Sequence, residues 1–457
     1  MKKKEKEIED IIDQLSNIFR SELKELLSRF GSLSSFKFLD FELSLQRKLR
    51  DMGRKTLEES IPYIYGDGYV GSIFTSEEGD DYGCYEKSKM RSLKTIFGKV
   101  SFERARYYNE EIGSTRAVTD ILMDIEDKKL CPLLRYWCCL LGTSSVFEEA
   151  SDNLHKITGN YVSSEDIRTI TQGVGKDITL EHNKDILRIK LDKENKVQQA
   201  KIQINKNSDK KVFLETDGCH IPTLNGWKEC KTLLLFEMKK EGEKNILLNK
   251  QYFSSLEDVN YFKRQVKARL EKYCGEKEVD LVCIGDGADW IWNMMKELVP
   301  QGMTEILDWY HISEKLWDLA NELYLGDEKR INSFVDEQLE WLKRGNPDVI
   351  LQNLLELKNK EKDKLKFELI DKIMGYIDNN KGKMKYDLYK KQGYCIGSGA
   401  IESANKHVIQ KRLKLSGIRW ELQNAEYMAH LRAEYTNRML EGFLGVNINP
   451  LLEIAEI

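Results

Sequence analysis

Apolar positions recur every three to four residues between residues 4 and 30 (KEKEIEDIIDQLSNIFRSELKELLSRF), where Ile8, Ile11, Ile12, Leu15, Ile18 and Phe19 sit among charges. That spacing predicts an amphipathic helix whose apolar stripe packs on its own domain or on a partner subunit. A second helical stretch follows, then a loop rich in Gly, Asp and Glu from Gly66 to Gly83. In RSLKTIFGKVSFERARYY the period drops to two. Leu93 and Thr95 precede Gly98-Lys99, and Val100 and Phe102 follow, which predicts a β-hairpin.

A helical block comes next. LCPLLRYWCCLLG reads as an apolar helix, and SVFEEASDNLHKITGNYVSSEDIRTITQGVGKDI as helix, turn, helix, with Gly159-Asn160 in the turn and Ser163 or Ser164 as the cap. Ala150, Leu154, Ile157, Val162, Ile167 and Ile170 have the spacing with which a helix-turn-helix buries its own small core, a pattern that plain helical hairpins share. From Thr179 to Lys211 the composition turns to Lys, Asp, Asn and Gln, as expected of a solvated boundary.

Between Lys211 and Leu307 the pattern changes again. KVFLETDG reads as a strand ending at Asp217, and KTLLLFEMKK and NILLNKQYFSS as further strands. Leu256 to Tyr273 is an amphipathic helix. VDLVCIGDG is a strand ending at Asp286, DWIWNMMKELV a helix, and TEILDWYHI a strand ending at Asp308. Three antiparallel-type strands, a helix, a strand, a helix and a strand is the element order of a ribonuclease-H-like sheet. From His311 to Tyr394 the chain is helical and charged, with Trp317 and Trp341 at core positions.

The expected fold is therefore α/β: a ribonuclease-H-like mixed sheet interrupted by an all-α insertion, after a mostly helical N-terminal region with a β-hairpin. Its segments are N-terminal helices and the hairpin (1–128), a helix-turn-helix-like DNA-binding region (129–180) and a charged connection (181–210). The first part of the catalytic core (211–310), the helical insertion (311–394) and the last part of the core with a C-terminal helix (395–457) follow.

Composition narrows the class. Of 457 residues, 41% are hydrophobic and 32% charged, which describes a soluble globular protein. No apolar run approaches the roughly 18 residues of a membrane span, and the N-terminus turns acidic where a signal peptide would turn apolar. A cytoplasmic protein without a membrane partner is expected. The nine cysteines include no CxxC, which fits reduced thiols, and Cys138-Cys139 reads as a pair of buried small hydrophobes. A net charge of −4 excludes a protein that is basic throughout, so a DNA partner requires basic residues gathered on one face. Arg91, Lys94, Lys99, Arg104 and Arg106 on the hairpin are such a group, either a solvated face or a contact to DNA backbone.

A second group lies in GSGAIESANKHVIQKRLK, from Gly397 to Lys414. Glu402 heads a helix that carries Lys406, Lys411, Arg412 and Lys414. On its own it is a first-turn acid able to pair with Lys406. Asp217-Gly218 and Asp286-Gly287 are, singly, turn chemistry. Taken together the three acids have another meaning, because Mg²⁺ takes a few carboxylate oxygens and keeps positions for water and phosphate. Two such ions clamp the attacking and leaving oxygens of a phosphodiester. Lys406 and Lys414 follow one helical stripe towards the adjacent phosphates, Arg412 and Arg419 extend it, and Gly397 and Gly399 allow close backbone approach to nucleic acid.

LETDG, IGDGADWIW, ILDWYHISEKL and GSGAIESANKHVIQKRLKLSGIRW, with AEYMAHLRA after them, resemble bacterial insertion-sequence transposases of the DDE type, specifically the ISLre/ISKra-like groups. The resemblance runs from the basic hairpin to about Ala433. It implies Asp217, Asp286 and Glu402 as first, second and third ligands of Mg²⁺ (or Mn²⁺), and Asp308 with His311 as an accessory Asp-x-x-His element. Asp308 is the rival for the second place. Asp286 is preferred, since its strand is the one expected beside that of Asp217, and His311 is read as a capping or DNA-contact residue. Asp289 is a first-turn helix acid, Trp290 and Trp292 are candidates to line the site, and Trp420 is a candidate to stack on DNA.

The function expected is metal-dependent hydrolysis at the element ends followed by strand transfer to target DNA. The partners are the terminal repeats and the target, and the active form is a homo-oligomer on DNA. The alternatives are a metal-dependent nuclease on the same fold and a non-catalytic DNA-binding protein descended from a transposase.

Overall fold

The stripe read from residues 4–30 forms α1 (Lys2–Gly31), which packs on α2 (Phe38–Tyr65) and buries Leu26 and Phe30. The computed structural model describes residues 2–32, 37–187, 189, 197–242 and 244–447. The expected connection (181–210) and C-terminal stretch lie outside the described residues at 188, 190–196 and 448–457. The chain divides into two units, Met1–Thr171 with Glu441–Ile457, and Gln172–Leu440.

In the first unit the hairpin is the centre of a larger sheet. β1 (Ile73–Thr75) pairs with β2 (Asp81–Thr95), and β3 (Gly98–Asn109) pairs with β2 and with β4 (Ser114–Arg116), all antiparallel. The stretch from Gly66 to Gly83 is thus partly strand. Thr95 pairs with Gly98, so Ile96 and Phe97 form the turn and Gly98 opens β3. The basic face is largely neutralised from within. Arg104 is buried and its Nε lies 2.8 and 2.9 Å from the two oxygens of Asp120 on α3 (Val118–Leu122), while Arg106 pairs with Glu86 at 2.9 Å. Both were candidate DNA contacts. Arg104 is instead the inner half of a buried ion pair, and Arg106 is held along the sheet.

The helical block forms α4 (Pro132–Ser144), α5 (Phe147–Thr158) and α6 (Ser164–Leu187). Leu134, Cys138, Ala150, Leu154, Val162 and Ile167 make its core, with Ile170 at the margin. Ile157 departs from the expected set and is 55% exposed. Gly159, at φ 67°, ends α5, and the Ser163 hydroxyl accepts the Asp166 N–H at 3.1 Å to cap α6. Residues 181–187, read as connection, continue α6.

The second unit is built on one mixed sheet. Its strands are β5 (Gln203–Ile204), β6 (Lys211–Thr223), β7 (Gly226–Glu241), β8 (Lys244–Ser255), β9 (Glu278–Gly285) and β10 (Thr304–Leu307), in the order β10-β9-β6-β7-β8 with β5 beside the start of β9. β6, β7 and β8 are antiparallel neighbours, and β9 and β10 run parallel to β6. Alternate residues of β6 serve opposite cores, as required of a sheet covered on both faces. Val212 and Leu214 pack with α7 (Val259–Cys274) and α8 (Asp289–Leu298); Phe213 packs with the helices that follow β10.

Those helices are α9 (Trp309–Tyr324), α10 (Glu328–Lys343), α11 (Pro347–Lys360), α12 (Lys364–Asn380) and α13 (Tyr386–Lys391). The insertion shares the core of the sheet. Tyr386 and Tyr389 donate to the carbonyls of Leu307 and Glu305 at 2.9 and 3.0 Å, which ties α13 to β10. Trp341 packs against this core, whereas Trp317, expected there too, is 37% exposed. Trp290 and Trp292 belong to the core of the opposite face, so neither lines the site. The chain ends with α14 (Gly399–Ala404), a π-helical turn (Asn405–Gln410), α15 (Lys411–Leu413), α16 (Leu422–Thr436) and α17 (Leu440–Leu444).

A buried polar network anchors α16. Glu426 accepts the Ser255 hydroxyl and the Leu256 N–H at 2.6 Å, His430 Nδ1 meets the Thr179 hydroxyl at 2.8 Å, and His182 Nε2 meets Glu434 at 2.9 Å. Burial pushes His182 down to about 3, against the pull of Glu434, with Arg269 and His430 adding to the depression. The folded state therefore excludes a proton that the unfolded chain accepts below about 6.5. The contribution to stability is complete above that pH and is lost as the pH falls towards 3. Urea unfolding between pH 7 and pH 4 is expected to show a fall of up to about 1.4 kcal/mol per pH unit from this residue. His182→Gln should remove that part of the slope.

Candidate active site

Glu215 pairs with Ile284 where parallel strands β6 and β9 last meet. Two residues further on each strand path lie Asp217 and Asp286, so strand register alone puts both acids just past the end of the β6–β9 pairing. Alternation puts them on the face covered by α9 to α13. Asp217 does not end its strand as expected: β6 continues to Thr223, and Asp217-Gly218 is mid-strand, not a turn. Its Oδ1 accepts the Gly218 N–H at 2.7 Å and its Oδ2 the Asn405 amide at 2.7 Å. Burial raises the Asp217 carboxyl above the ordinary range; the charge of Asp286 adds to this, and Gly218, Asn405 and His311 oppose it.

Asp286 follows β9 directly and accepts the Ala288 N–H at 2.9 Å. Its carbonyl accepts the Tyr376 hydroxyl of α12 at 2.7 Å, and Gly287, at φ 93°, lacks the Cβ that would meet that hydroxyl at 2.7 Å. The helical insertion is thereby pressed onto the acid-bearing turn.

Glu402 is exposed on α14, and two bonds hold its helix to β6: Ile401 N–H to Glu215 Oε2 at 2.8 Å, and Asn405 to Asp217. The Ser398 hydroxyl lies 3.1 Å from Glu402 Oε1. Among the described residues Glu402 makes no ion pair with Lys406, so the simple helix-pair reading fails. Asn405 opens the π-helical turn, where Arg432 of α16 donates to the Val408 carbonyl at 2.7 Å and to that of His407. Such turns recur at functional sites because they shift side chains off the α-helical repeat.

Asp308, the rival acid, is buried and fully engaged. It caps α9 through the Tyr310 and His311 N–H groups at 3.1 Å and accepts the Ser398 N–H and hydroxyl at 2.8 and 2.7 Å. It latches the Gly397 turn to α9. Gly397 is needed because a Cβ there would lie 2.4 Å from the Tyr310 ring; its close approach is to the protein itself. His311 is half-buried, and its ring is near enough to Asp217 to favour the charged carboxylate.

Glu215 went unnoticed in the sequence. It is fully buried, with Oε1 unpartnered among the described residues, and burial pushes it up to about 8, aided by the charges of Asp308 and Glu402. Its position two before Asp217, on the same strand face, was the available signal.

Among the described residues no three His, Cys, Asp or Glu side chains are grouped so that they could hold a metal ion. The chemistry of the donors is nevertheless suitable, since Asp286 Oδ2 and Glu402 Oε2 accept no hydrogen bond among the described residues and are hard oxygens of the kind Mg²⁺ takes. Lys406, Lys411, Lys414 and Arg419 are exposed and without an acid partner among the described residues. Arg412 differs. It is buried with its guanidinium 5.2 Å from the Trp420 ring, and burial pushes it down to about 10. Trp420 is buried too and donates to the Leu413 carbonyl at 3.1 Å, so this pair is core and not a DNA contact.

The model of an uncharacterised protein family, UPF0236, matches residues 34–443. A UPF0236 protein of Caldanaerobacter subterraneus subsp. tengcongensis is 23% identical over 453 residues, 93% of this chain and 83% of that protein. Another from the same organism, whose name joins eleven locus designations, is 23% identical over 372 residues, 76% of this chain and 68% of its own length. A third, described by its place in the vanSb 3′ region of Streptococcus gallolyticus, is 21% identical over 362 residues, 78% of this chain and 75% of that protein. No helix among the described residues is long and apolar enough to cross a membrane.

Proposed function

The chain belongs to the UPF0236 family, and we propose that it is a DDE-type DNA transposase with a ribonuclease-H-like catalytic core. The observation that carries this reading is the placement of Asp217 and Asp286 just past the end of the β6–β9 pairing, beside the Glu402 helix that hydrogen-bonds to β6. The strand order β10-β9-β6-β7-β8, antiparallel on one side of β6 and parallel on the other, supports the ribonuclease-H-like reading. A relative whose name joins eleven locus designations in one organism supports mobility, since an element that copies itself leaves its gene at many places.

Asp217, Asp286 and Glu402 would hold Mg²⁺ or Mn²⁺. When bound, the cation supplies Lewis-acid charge to the phosphodiester and an acidified water. Asp217 is oriented by Gly218 and Asn405, and Asp286 by the Ala288 N–H and the Tyr376 contact. Glu402, exposed and restrained among the described residues by one 3.1 Å hydrogen bond, is the acid with the freedom to close on the site. Lys406, Lys411, Lys414 and Arg419 bind backbone phosphates beside it. Water attacks phosphorus and the bond to the 3′ oxygen breaks, leaving a 3′-hydroxyl. That hydroxyl then attacks a target phosphodiester, whose own 3′ oxygen departs. Neither step needs a covalent enzyme intermediate, and Asp308 stays outside the chemistry as a latch.

Incubating the protein with labelled DNA carrying the element end is expected to yield 3′-hydroxyl nicks with Mg²⁺ and none with EDTA. Nicking that persists in EDTA would refute the assignment.

A further inference from the structure

β6 and β7 extend beyond the sheet that holds the acids. β9 leaves β6 at Glu215 and β8 leaves β7 at Lys231, so from Gly218 to Lys231 the two strands form a ribbon on their own. A ribbon of this kind has no sheet neighbour on which to bury apolar side chains. Its tip nevertheless carries Leu224, 65% exposed, and Trp227, 60% exposed. The backbone of Trp420 braces the tip by accepting the Leu224 N–H at 2.8 Å and donating to the Pro222 carbonyl at 3.1 Å. The backbone of the tip that carries the exposed indole is therefore held by its neighbour.

The surroundings are cationic. The Lys414 ammonium lies 5.6 Å from the Trp227 ring centre, Arg419 adjoins Trp420 in the chain, and Lys228 follows Trp227. All three are exposed, and none has an acid partner among the described residues. By alternation Lys228 shares the face of Asp217 and Trp227 the opposite one, while Lys414, from the helix on the Asp217 side, reaches the indole. An exposed aromatic ring with unpaired cations around it, on the hairpin whose other strand bears Asp217, is the combination that grips single-stranded nucleic acid: bases stack and phosphates are neutralised.

We propose that the ribbon tip, with Trp227 and Leu224 flanked by Lys228, Lys414 and Arg419, stacks an unpaired base of the bound DNA. This inference rests on the DNA-cleaving reading of the neighbouring acids.

The test is fluorescence anisotropy in EDTA with the full-length protein, using a short labelled single-stranded oligonucleotide and the same sequence as a duplex. Trp227→Ala is expected to weaken single-strand binding roughly 5- to 150-fold, the range for loss of one stacked base, with a much smaller effect on the duplex. Trp227→Phe should stay close to wild type, because any aromatic face serves. Wild-type affinity in Trp227→Ala, or equal weakness in Trp227→Phe, would overturn the proposal. Absence of single-strand binding by the wild type would overturn it as well. In that case retained duplex binding leaves the transposase reading standing, and loss of both removes both.

Discussion

Glu402→Gln is expected to reduce cleavage of element-end DNA at least about 10²–10³-fold, the loss typical when one preorganised electrostatic contact to a transition state is removed. The fold should not register the change. Glu402 is exposed, its one side-chain hydrogen bond among the described residues is with the Ser398 hydroxyl, and Gln keeps an acceptor there. End binding, carried by Lys406, Lys411, Lys414 and Arg419, should be nearly unchanged. Cleavage rates and gel-shift titrations on the same preparation check both halves. Unchanged cleavage would mean that Glu402 is only a helix-terminus acid.

Asp308→Ala is expected to act on stability. It removes a helix cap, worth about 0.5–2 kcal/mol, and strands the buried Ser398 N–H, at about 1–3 kcal/mol, while the Ser398 hydroxyl keeps Glu402 as an acceptor, for a total of roughly 1.5–5 kcal/mol. Asp308→Asn should cost less. Its remaining oxygen can keep the Tyr310 and Ser398 N–H bonds, while its amide faces the His311 N–H with like polarity. Urea unfolding gives the two values. If Asp308 were catalytic, the Asn protein would lose cleavage out of proportion to its stability. If it is a latch, cleavage measured well below the unfolding transition should persist in the Asn protein.

The order of elements from Lys211 to Leu307 was legible because each changes the hydrophobic period. The Asp308 cap was legible in part, since an acid after a strand and before Trp-Tyr-His reads as a helix start. Asp217 was misplaced for a physical reason: Asp-Gly favours a turn locally, but twelve cross-strand pairs with β7 carry the strand straight through it. Arg104 and Arg412 were misread because sequence shows a charge and not its partner. Asp120 lies sixteen residues from Arg104, and the Trp420 ring that covers Arg412 comes from beyond a turn. Glu215 was hidden by the apolar run around it, although its two-residue spacing from Asp217 was visible. The brace on the ribbon tip is made by backbone pairing of Trp420 with Pro222 and Leu224, which leaves no mark on side-chain pattern.

The central claim is that this chain cuts DNA and joins it at one carboxylate site. Strand transfer tests that most directly: purified protein, DNA with a pre-cut element end bearing a free 3′-hydroxyl, a target plasmid and Mg²⁺, with joined product read on a gel. The account predicts a joined product with the wild type, and none with EDTA or with Asp217→Asn, Asp286→Asn or Glu402→Gln. Joining by any of the three variants, or nicking by the wild type without joining, would contradict it.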